Sequence, residues 1–183
     1  MKPKILLVAD TYYPKVDGTL RFMEEFIKRA KDTFHVSLLV PYLGEKKGES
    51  VEYIQPSTCL SLSGYPSMKF SFHNVHLIKK AVKKADLVFA QGPALISFLS
   101  IYYAHRYKKK TVCYTHVLPW ELIAKFLPSS INRIASKLVK RICIFFYNLC
   151  DEVLVPYPKL RQYLAAAGVR TKMSVARLGV DID

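Results

Sequence analysis

The sequence predicts an α/β protein built on a doubly wound, Rossmann-like parallel sheet with helices on both faces. Short apolar runs, the first of them at residues 5–9, are typical of strands buried in a parallel sheet. Most of these runs are followed by a segment with apolar residues three and four positions apart, which is typical of helices. The two patterns alternate along the chain, as strand–helix–strand units do.

The elements follow from these patterns in order. The predicted strands are residues 4–9, 35–41, 51–54, 86–91, 111–115, 152–155 and 172–176. The predicted helices are residues 20–31, 75–84, 92–107, 129–148 and 159–167. Pro93 suits the first turn of the third helix, because a missing N–H needs no partner there. Ser129 or Ser130 is the expected cap of the fourth helix, and Gly168 ends the last. Residues 42–72 give only the short strand at 51–54.

The length and the cysteines set further bounds. A chain of 183 residues is long enough for one domain with a substantial core, and no apolar run approaches the roughly 20 residues that a membrane span needs. The start of the chain lacks the cleavage pattern of a signal peptide, so we expect a cytoplasmic protein. The four cysteines form no CxxC pair and have no histidine at zinc-finger spacing, which predicts buried free thiols.

Positive charge is concentrated in the second half of the chain. The formal net charge is +14, and Glu121 is the only acidic residue between Leu87 and Cys150. The cations of that stretch are Arg106, Lys108, Lys109, Lys110, Lys125, Arg133, Lys137, Lys140 and Arg141. Such a field favours a polyanionic partner, namely nucleic acid, an anionic membrane or a phosphorylated substrate, although a solvated basic surface would give the same composition.

The loop after the first strand is the most informative segment. It ends in Asp17, Gly18 and Thr19, directly before a helix. Backbone N–H groups and the positive end of a helix dipole would converge there, which favours phosphate, and a glycine lets phosphate approach the backbone. The alternative is structural, since Asp and Thr commonly cap helices.

His116 is the second candidate residue. It lies just past the carboxyl end of a predicted inner strand, which is where open α/β sheets place ligands. An imidazole there can bind a sugar hydroxyl or polarise an acceptor, and a hydrogen-bonded structural histidine is the alternative. We expect no function for His35, His73, His76 and His105.

Four segments, taken in order, resemble the N-terminal half of a GT-B glycosyltransferase of the large retaining family four. Residues 10–19 (DTYYPKVDGT) are similar to that family's D-x-Y/F-x-P-x-x-x-G loop. Residues 64–69 (GYPSMK) resemble the Y-P-E-Y-R segment of members with lipid acceptors, and residues 112–116 (VCYTH) stand where that family has a strand ending in Y-H-T. Residues 151–156 (DEVLVP) with 177–181 (RLGVD) resemble the strand and G-V-D at which the crossover begins.

The resemblance implies roles for particular residues. His116 would be catalytic, and Asp17, Gly18 and Thr19 would face the diphosphate of the donor. The side chains expected to line the acceptor side are Tyr12, Tyr13, Tyr65 and Lys69, because aromatic faces pack against sugar or inositol rings and a cation pairs with phosphate. With twelve tyrosines in the chain, a packing role for each tyrosine is about as plausible.

The chain also departs from the family's pattern. Phe89 and Gln91 stand where histidines are usual, Val117 replaces a common threonine, Tyr157 replaces a serine, and Lys69 replaces an arginine. No two glutamates are eight residues apart, as in the family's donor-binding domain. We therefore expect residues 1–178 to form the acceptor-side domain and residues 179–183 to begin the crossover to an absent C-terminal donor-binding domain, in the same or a separate chain.

As implied by the resemblance, the function is hexosyl transfer with retention from a nucleotide-sugar to a phosphorylated or lipid-linked acceptor. Neither a metal nor a cofactor is expected, and this chain alone should be inactive. A basic nucleic-acid-binding domain is the alternative, permitted by the charge but without a helix-turn-helix, zinc-finger or RNP pattern. A dinucleotide oxidoreductase is weaker still, because no G-x-G-x-x-G follows the first strand.

The predicted helix at 129–148 suggests where the protein meets a membrane. Apolar residues recur along it at helical spacing: Ile131, Ile134, Leu138, Ile142 and Phe145. The cations Arg133, Lys137, Lys140 and Arg141 lie on another side. This pattern is typical of a basic amphipathic helix on an anionic membrane, so we expect peripheral attachment at the cytoplasmic face. The alternative is a core helix with a solvated basic face.

Overall fold

Seven strands form one parallel sheet in the computed structural model, which describes residues 2–48, 50–62, 65–124 and 129–177. Their order across the sheet is β3-β2-β1-β6-β7-β8-β9, and every neighbouring pair is parallel. The strands are β1 (Lys4–Ala9), β2 (His35–Pro41), β3 (Val51–Ile54), β6 (Leu87–Gln91), β7 (Lys110–Tyr114), β8 (Glu152–Val155) and β9 (Lys172–Val175). The predicted doubly wound Rossmann-like α/β class is confirmed.

Two further strands form a separate antiparallel hairpin, β4 (Pro56–Leu62) and β5 (Tyr65–Met68). The sequence pattern of residues 56–68 does not predict the two strands of this hairpin. Asn74 ties its base to the following helix, because its amide donates to the carbonyls of Gln55 and Lys69, both at 2.8 Å. Its amide oxygen also accepts from the backbone N–H of Gln55 at 3.1 Å. A fully buried asparagine therefore supplies the polar partners that this connection needs.

The helices cover both faces of the sheet. They are α1 (Gly18–Ala30), α2 (Phe72–Lys84), α3 (Leu95–Arg106), α4 (Pro119–Ala124), α5 (Ser129–Tyr147) and α6 (Pro158–Ala167). Helix α1 packs on one face, where Leu20 and Met23 belong to the same buried cluster as Leu7 of β1. Helices α2, α3, α5 and α6 pack on the other face in two adjoining clusters. None of the helices in the described ranges combines the length and apolarity that a membrane span requires.

Two predicted details hold and one is wrong. Gly168 ends α6 in the left-handed conformation, with φ of 109°, as expected of a helix C-cap. Cys113, Cys143 and Cys150 are buried free thiols, while the side chain of Cys59 lies outside the described residues. Helix α3, however, begins only at Leu95. Gly92 has φ of +86° and its N–H donates to the carbonyl of Tyr114, so residues 92–94 form a turn rather than helix.

Candidate functional site at the carboxyl edge of the sheet

The ends of three neighbouring strands bring the predicted site residues to one edge. Ala9 of β1 pairs with Gln91 of β6, and Gln91 pairs with Tyr114 of β7. The loop at residues 10–17 and His116 therefore leave the sheet from the same row. The strand order changes direction at β1: β2 and β3 lie on one side of it, and β6 to β9 lie on the other. Open α/β sheets bind ligands at such a switch point.

Asp17 caps helix α1. One carboxylate oxygen accepts the backbone N–H of Leu20 at 2.9 Å, and the other accepts the hydroxyl of Thr11 at 3.0 Å. The structural interpretation of Asp17 as an N-cap therefore holds, whatever ligand the loop binds. The same bonds lock the loop end against the first turn of the helix, with Thr19 half-buried beside it.

Gly18 lies exposed at the first position of α1. A Cβ atom built there meets no described atom within 4 Å, and its φ is not in the left-handed region. Packing and backbone conformation therefore do not require glycine at this position. The missing side chain leaves the backbone at the helix start open to solvent, as close approach by an anion needs.

His116 packs against the helix that Gly18 begins. Its ring stands edge-on to Tyr114, with centroids 4.3 Å apart, and edge-on to Phe22 of α1, at 6.0 Å. Its Nε2 atom lies 3.0 Å from Oε1 of Gln91. Burial lowers the pKa of His116 to about 4, and the nearby negative charge of Asp17 opposes that shift. The imidazole is therefore neutral at pH 7 and suited to exchange hydrogen bonds with a hydroxyl.

Asp10 was not singled out from the sequence and proves to organise the edge. Its carboxylate accepts the backbone N–H groups of Ile96 at 2.8 Å and Ser97 at 3.1 Å, and the Ser97 hydroxyl at 2.8 Å. Burial raises the pKa of Asp10, and these hydrogen bonds act against the rise. Ala94, the cap position of α3, makes no side-chain cap bond. No local sequence pattern marks this pair, because Asp10 and Ile96 lie 86 residues apart.

The two tyrosines of the loop differ in accessibility. Tyr12 is buried in the core, and its hydroxyl donates to the carbonyl of Lys47 at 2.8 Å. Its described contacts are those of a packing residue. Tyr13 is half-buried, and its hydroxyl donates to the carboxylate of Glu24, which raises the pKa of Tyr13. The Lys47 ammonium lies 3.9 Å from the centre of the Tyr13 ring, a cation–π arrangement.

The other two predicted acceptor residues belong to the hairpin. Lys69 follows β5 and is exposed, with its backbone N–H donating to the carbonyl of Gln55 at 3.0 Å. The described hydrogen bonds of Lys69 are made by its backbone, with Gln55 and Asn74, and none of them is to His116. The side chain of Tyr65 lies outside the described residues. Whether either residue meets a ligand remains a prediction from the sequence.

Helix α5 exposes its apolar stripe instead of burying it. The stripe residues are Ile131, Ile134, Leu138, Ile142 and Phe145, exposed by 57%, 73%, 58%, 38% and 56%. The helix contacts the core through Cys143 and Tyr147, which are fully buried. The stripe itself is therefore exposed, while the same helix packs on the core through other side chains.

The predicted membrane-binding cations lie on the outer surface of α5. Arg133, Lys137 and Arg141 are exposed, and Lys140 is half-buried with its ammonium 5.5 Å from the centre of the Tyr163 ring. Apolar side chains and cations thus share the outward part of one helix. Trp120 of α4, upstream of α5, is buried, while residues 125–128 lie outside the described ranges.

The fold is that of a Rossmann-like domain, and the candidate site lies at the carboxyl ends of β1, β6 and β7. The sequence matches the family model for Glycosyltransferase Family 4 over residues 16–183, and the chain belongs to that family. Together with the fold, this match confirms the predicted N-terminal, GT-B-type domain. No curated protein matches the chain in sequence.

Solved structures with the same fold are distant in sequence. The S. aureus MnaA–UDP co-structure aligns with a TM-score of 0.57 and 16% identity, covering 96% of this chain and 43% of MnaA. A candidate UDP-N-acetylglucosamine 2-epimerase from Listeria monocytogenes gives 0.55 and 13%, covering 92% and 42%. Sucrose-phosphate synthase from Thermosynechococcus elongatus gives 0.52 and 13%, covering 97% and 90%. The chain thus spans less than half of the first two structures.

Proposed function

We propose that this chain is the acceptor-side half of a retaining glycosyltransferase that transfers a hexose from a nucleotide-sugar to a phosphorylated or lipid-linked acceptor. The observation that carries the proposal is the packing of a neutral His116 against α1, whose first turn holds Asp17, Gly18 and Thr19. A neutral imidazole able to accept a hydrogen bond from a hydroxyl and a helix start able to receive phosphate would then lie at one edge of the sheet. Membership in the glycosyltransferase family supports the assignment of these groups to an acceptor hydroxyl and a donor phosphate.

The donor would meet this half at the start of α1. Backbone N–H groups there carry the positive end of the helix dipole, and the open surface at Gly18 admits a phosphate oxygen. The Asp17 carboxylate adds a repulsive charge, but its two described hydrogen bonds, to Leu20 and Thr11, disperse part of it. Most of the donor would be held by a C-terminal domain reached through residues 179–183, on the same or a separate chain.

The acceptor would lie between His116 and the hairpin side of the domain. As a neutral imidazole, His116 can accept a hydrogen bond from an acceptor hydroxyl without first losing a proton. Tyr13, Tyr65 and Lys69 are the proposed acceptor-side contacts, and the buried Tyr12 supports that surface by packing beneath it. The proposed transfer requires no metal and no cofactor.

A membrane surface would present such an acceptor. The apolar stripe of α5 and its four neighbouring cations make a surface suited to an anionic leaflet, with apolar side chains entering the interface and cations remaining among headgroups. We therefore place the protein peripherally on the cytoplasmic face of a membrane. Nucleic acid is the alternative polyanion, but the stripe of apolar side chains favours lipid over a phosphate backbone.

The proposed function is tested in two assays of sugar transfer. The purified 183-residue chain should transfer no sugar from labelled nucleotide-sugars to extracted membranes, because donor and acceptor are not brought together. In the protein that includes the donor-binding domain, His116→Ala should lower turnover by about 10²-fold to 10⁴-fold while the fold is retained. His105→Ala, an exposed histidine on α3, is the control. Robust transfer by the chain alone, or normal turnover of His116→Ala, contradicts the proposal.

A further inference from the structure

The pairing of Gln91 with His116 is not explained by folding alone. Gln91 is 4% exposed at the end of β6, on the face of the sheet that carries α1. Its Oε1 atom lies 3.0 Å from His116 Nε2, while none of the described residues accepts a hydrogen bond from its Nε2 group. Burying an amide donor without a partner is unfavourable, and an apolar side chain of similar size would avoid that cost. Of the two polar atoms of the Gln91 amide, the oxygen is therefore the one with a described hydrogen-bond partner, His116.

We propose that Gln91 is a positioning residue, which accepts a hydrogen bond from Nε2–H of His116 and holds the ring as the neutral tautomer with a bare Nδ1. Nδ1 is then the ring's hydrogen-bond acceptor for a substrate hydroxyl. This inference rests on the proposed function for its purpose, but the tautomer itself is a property of the ligand-free chain.

The groups around the ring leave Gln91 as its described hydrogen-bond partner. Phe22 of α1 and Tyr114 of β7 contact the ring edge-on. The Tyr114 hydroxyl is engaged elsewhere, because it donates to the carbonyl of Ala176 at 2.9 Å. Asp17 is the charged group that acts on His116, and it favours the protonated ring, whereas burial favours the neutral one. The neutral amide of Gln91 accepts from Nε2–H without adding a charge that would hold a second proton on the ring.

Nitrogen-15 NMR of the histidine-labelled chain tests this assignment without any substrate. We expect the His116 resonances, assigned by their loss in His116→Gln, to show a protonated Nε2 and an unprotonated Nδ1 at pH 7. In Gln91→Met, which keeps the size of the side chain but has no amide, both tautomers should become populated. In Gln91→Glu the carboxylate should preserve the tautomer and raise the pKa of His116 by about one to three units.

Some outcomes would overturn the inference. A protonated Nδ1 in the parent chain would mean that the amide is reversed and donates to the ring. An unchanged tautomer and titration in Gln91→Met would mean that packing alone orients His116. If Gln91→Met does not fold, the parent tautomer and the Gln91→Glu titration still decide. The NMR experiment measures no sugar transfer. A negative NMR result would therefore overturn the role of Gln91 without bearing on the proposed function, which the transfer assay of His116→Ala tests.

Discussion

The carboxylate of Asp10 accepts both the backbone N–H and the hydroxyl of Ser97, at 3.1 Å and 2.8 Å. This relationship fixes the end of β1 to the start of α3 across 87 residues of sequence. The carboxylate does for α3 what a capping residue within the helix would otherwise do, since Ala94 cannot. A single carboxylate therefore joins the loop after β1 to the start of α3, next to the candidate site.

Asp10→Ala should destabilise the fold by about 1–3 kcal/mol, because the N–H groups of Ile96 and Ser97 lose a buried acceptor. Chemical denaturation of the parent and the variant measures the difference. Asp32→Ala removes an exposed carboxylate and should change stability by less than about 0.5 kcal/mol. Equal, small effects of the two substitutions would show that the Asp10 bonds contribute nothing to stability.

His116 should make stability depend on pH. Its folded-state pKa is about 4, below the ordinary value of 6.5, so between these values the unfolded chain binds more protons. Stability from this group is therefore complete above about pH 6.5 and is lost as the pH falls toward 4. Partial exposure reduces the effect to the order of 2 kcal/mol.

Denaturation of the parent and His116→Gln at pH 7, 5.5 and 4.5 isolates the contribution of His116. As the pH falls, the free energy of unfolding of the parent should decrease relative to that of His116→Gln. Contributions from other titrating groups are the same in both proteins and cancel in the difference. His35, His73, His76 and His105 are exposed, and His35→Gln serves as the control. A gap that stays constant with pH would mean that His116 titrates normally in the folded protein.

Gly18 and Gly168 should respond oppositely to alanine. Gly168 has φ of 109°, so Gly168→Ala places a Cβ in a strained conformation and should cost about 1 kcal/mol of stability. Gly18 has no such constraint and open space around its Cβ position, so Gly18→Ala should leave stability within about 0.5 kcal/mol of the parent.

The effects of the two substitutions on activity should be the opposite of their effects on stability: Gly18→Ala should impair donor binding and Gly168→Ala should not. In the protein with its donor-binding domain, Gly18→Ala should raise KM for the nucleotide-sugar, because the added methyl group obstructs phosphate at the helix start, and Gly168→Ala should not. Thermal unfolding and steady-state kinetics are the two measurements. An unchanged KM for Gly18→Ala would remove Gly18 from the proposed donor contacts.

The strands of the sheet could be predicted largely from their apolar residues, most clearly at β1, where five successive residues are buried. Parallel strands buried in this way are continuous apolar runs. The predicted bounds of β1, β2, β3 and β8 agree with the observed ones. The hairpin at 56–68 was missed because Ser, Thr and Pro interrupt any alternation in β4. Helix α4 was missed because six residues are too few for a periodic signal.

The site could be predicted only as far as topology determines it. Asp17, Gly18 and His116 follow strands whose neighbours the alternation already implies, so their approach to one edge was foreseeable. The bonds of Asp10 to Ser97 and of Gln91 to His116 join residues 87 and 25 positions apart, and no local pattern encodes them. Likewise, only tertiary packing shows that α5 turns Cys143 inward and Ile134 outward.

Helix α5 should attach the protein to anionic membranes. Vesicles containing anionic lipid should bind the chain, neutral vesicles should bind it weakly, and high salt should weaken the binding, because each cation near the leaflet contributes about 1 kcal/mol that salt screens. Replacing Arg133, Lys137, Lys140 and Arg141 with Gln should abolish most binding in co-sedimentation.

Two further variants separate the specific surface from net charge. Replacing four lysines of α2 with Gln, namely Lys79, Lys80, Lys83 and Lys84, removes the same charge from another helix and should leave most binding intact. Ile134→Ser with Leu138→Ser keeps every cation but removes exposed apolar side chains, and it should weaken the binding that persists in high salt. If both quadruple variants bind equally, the attraction is a property of total charge. If duplex DNA competes with the vesicles and the serine variant binds normally, the nucleic-acid alternative is favoured instead.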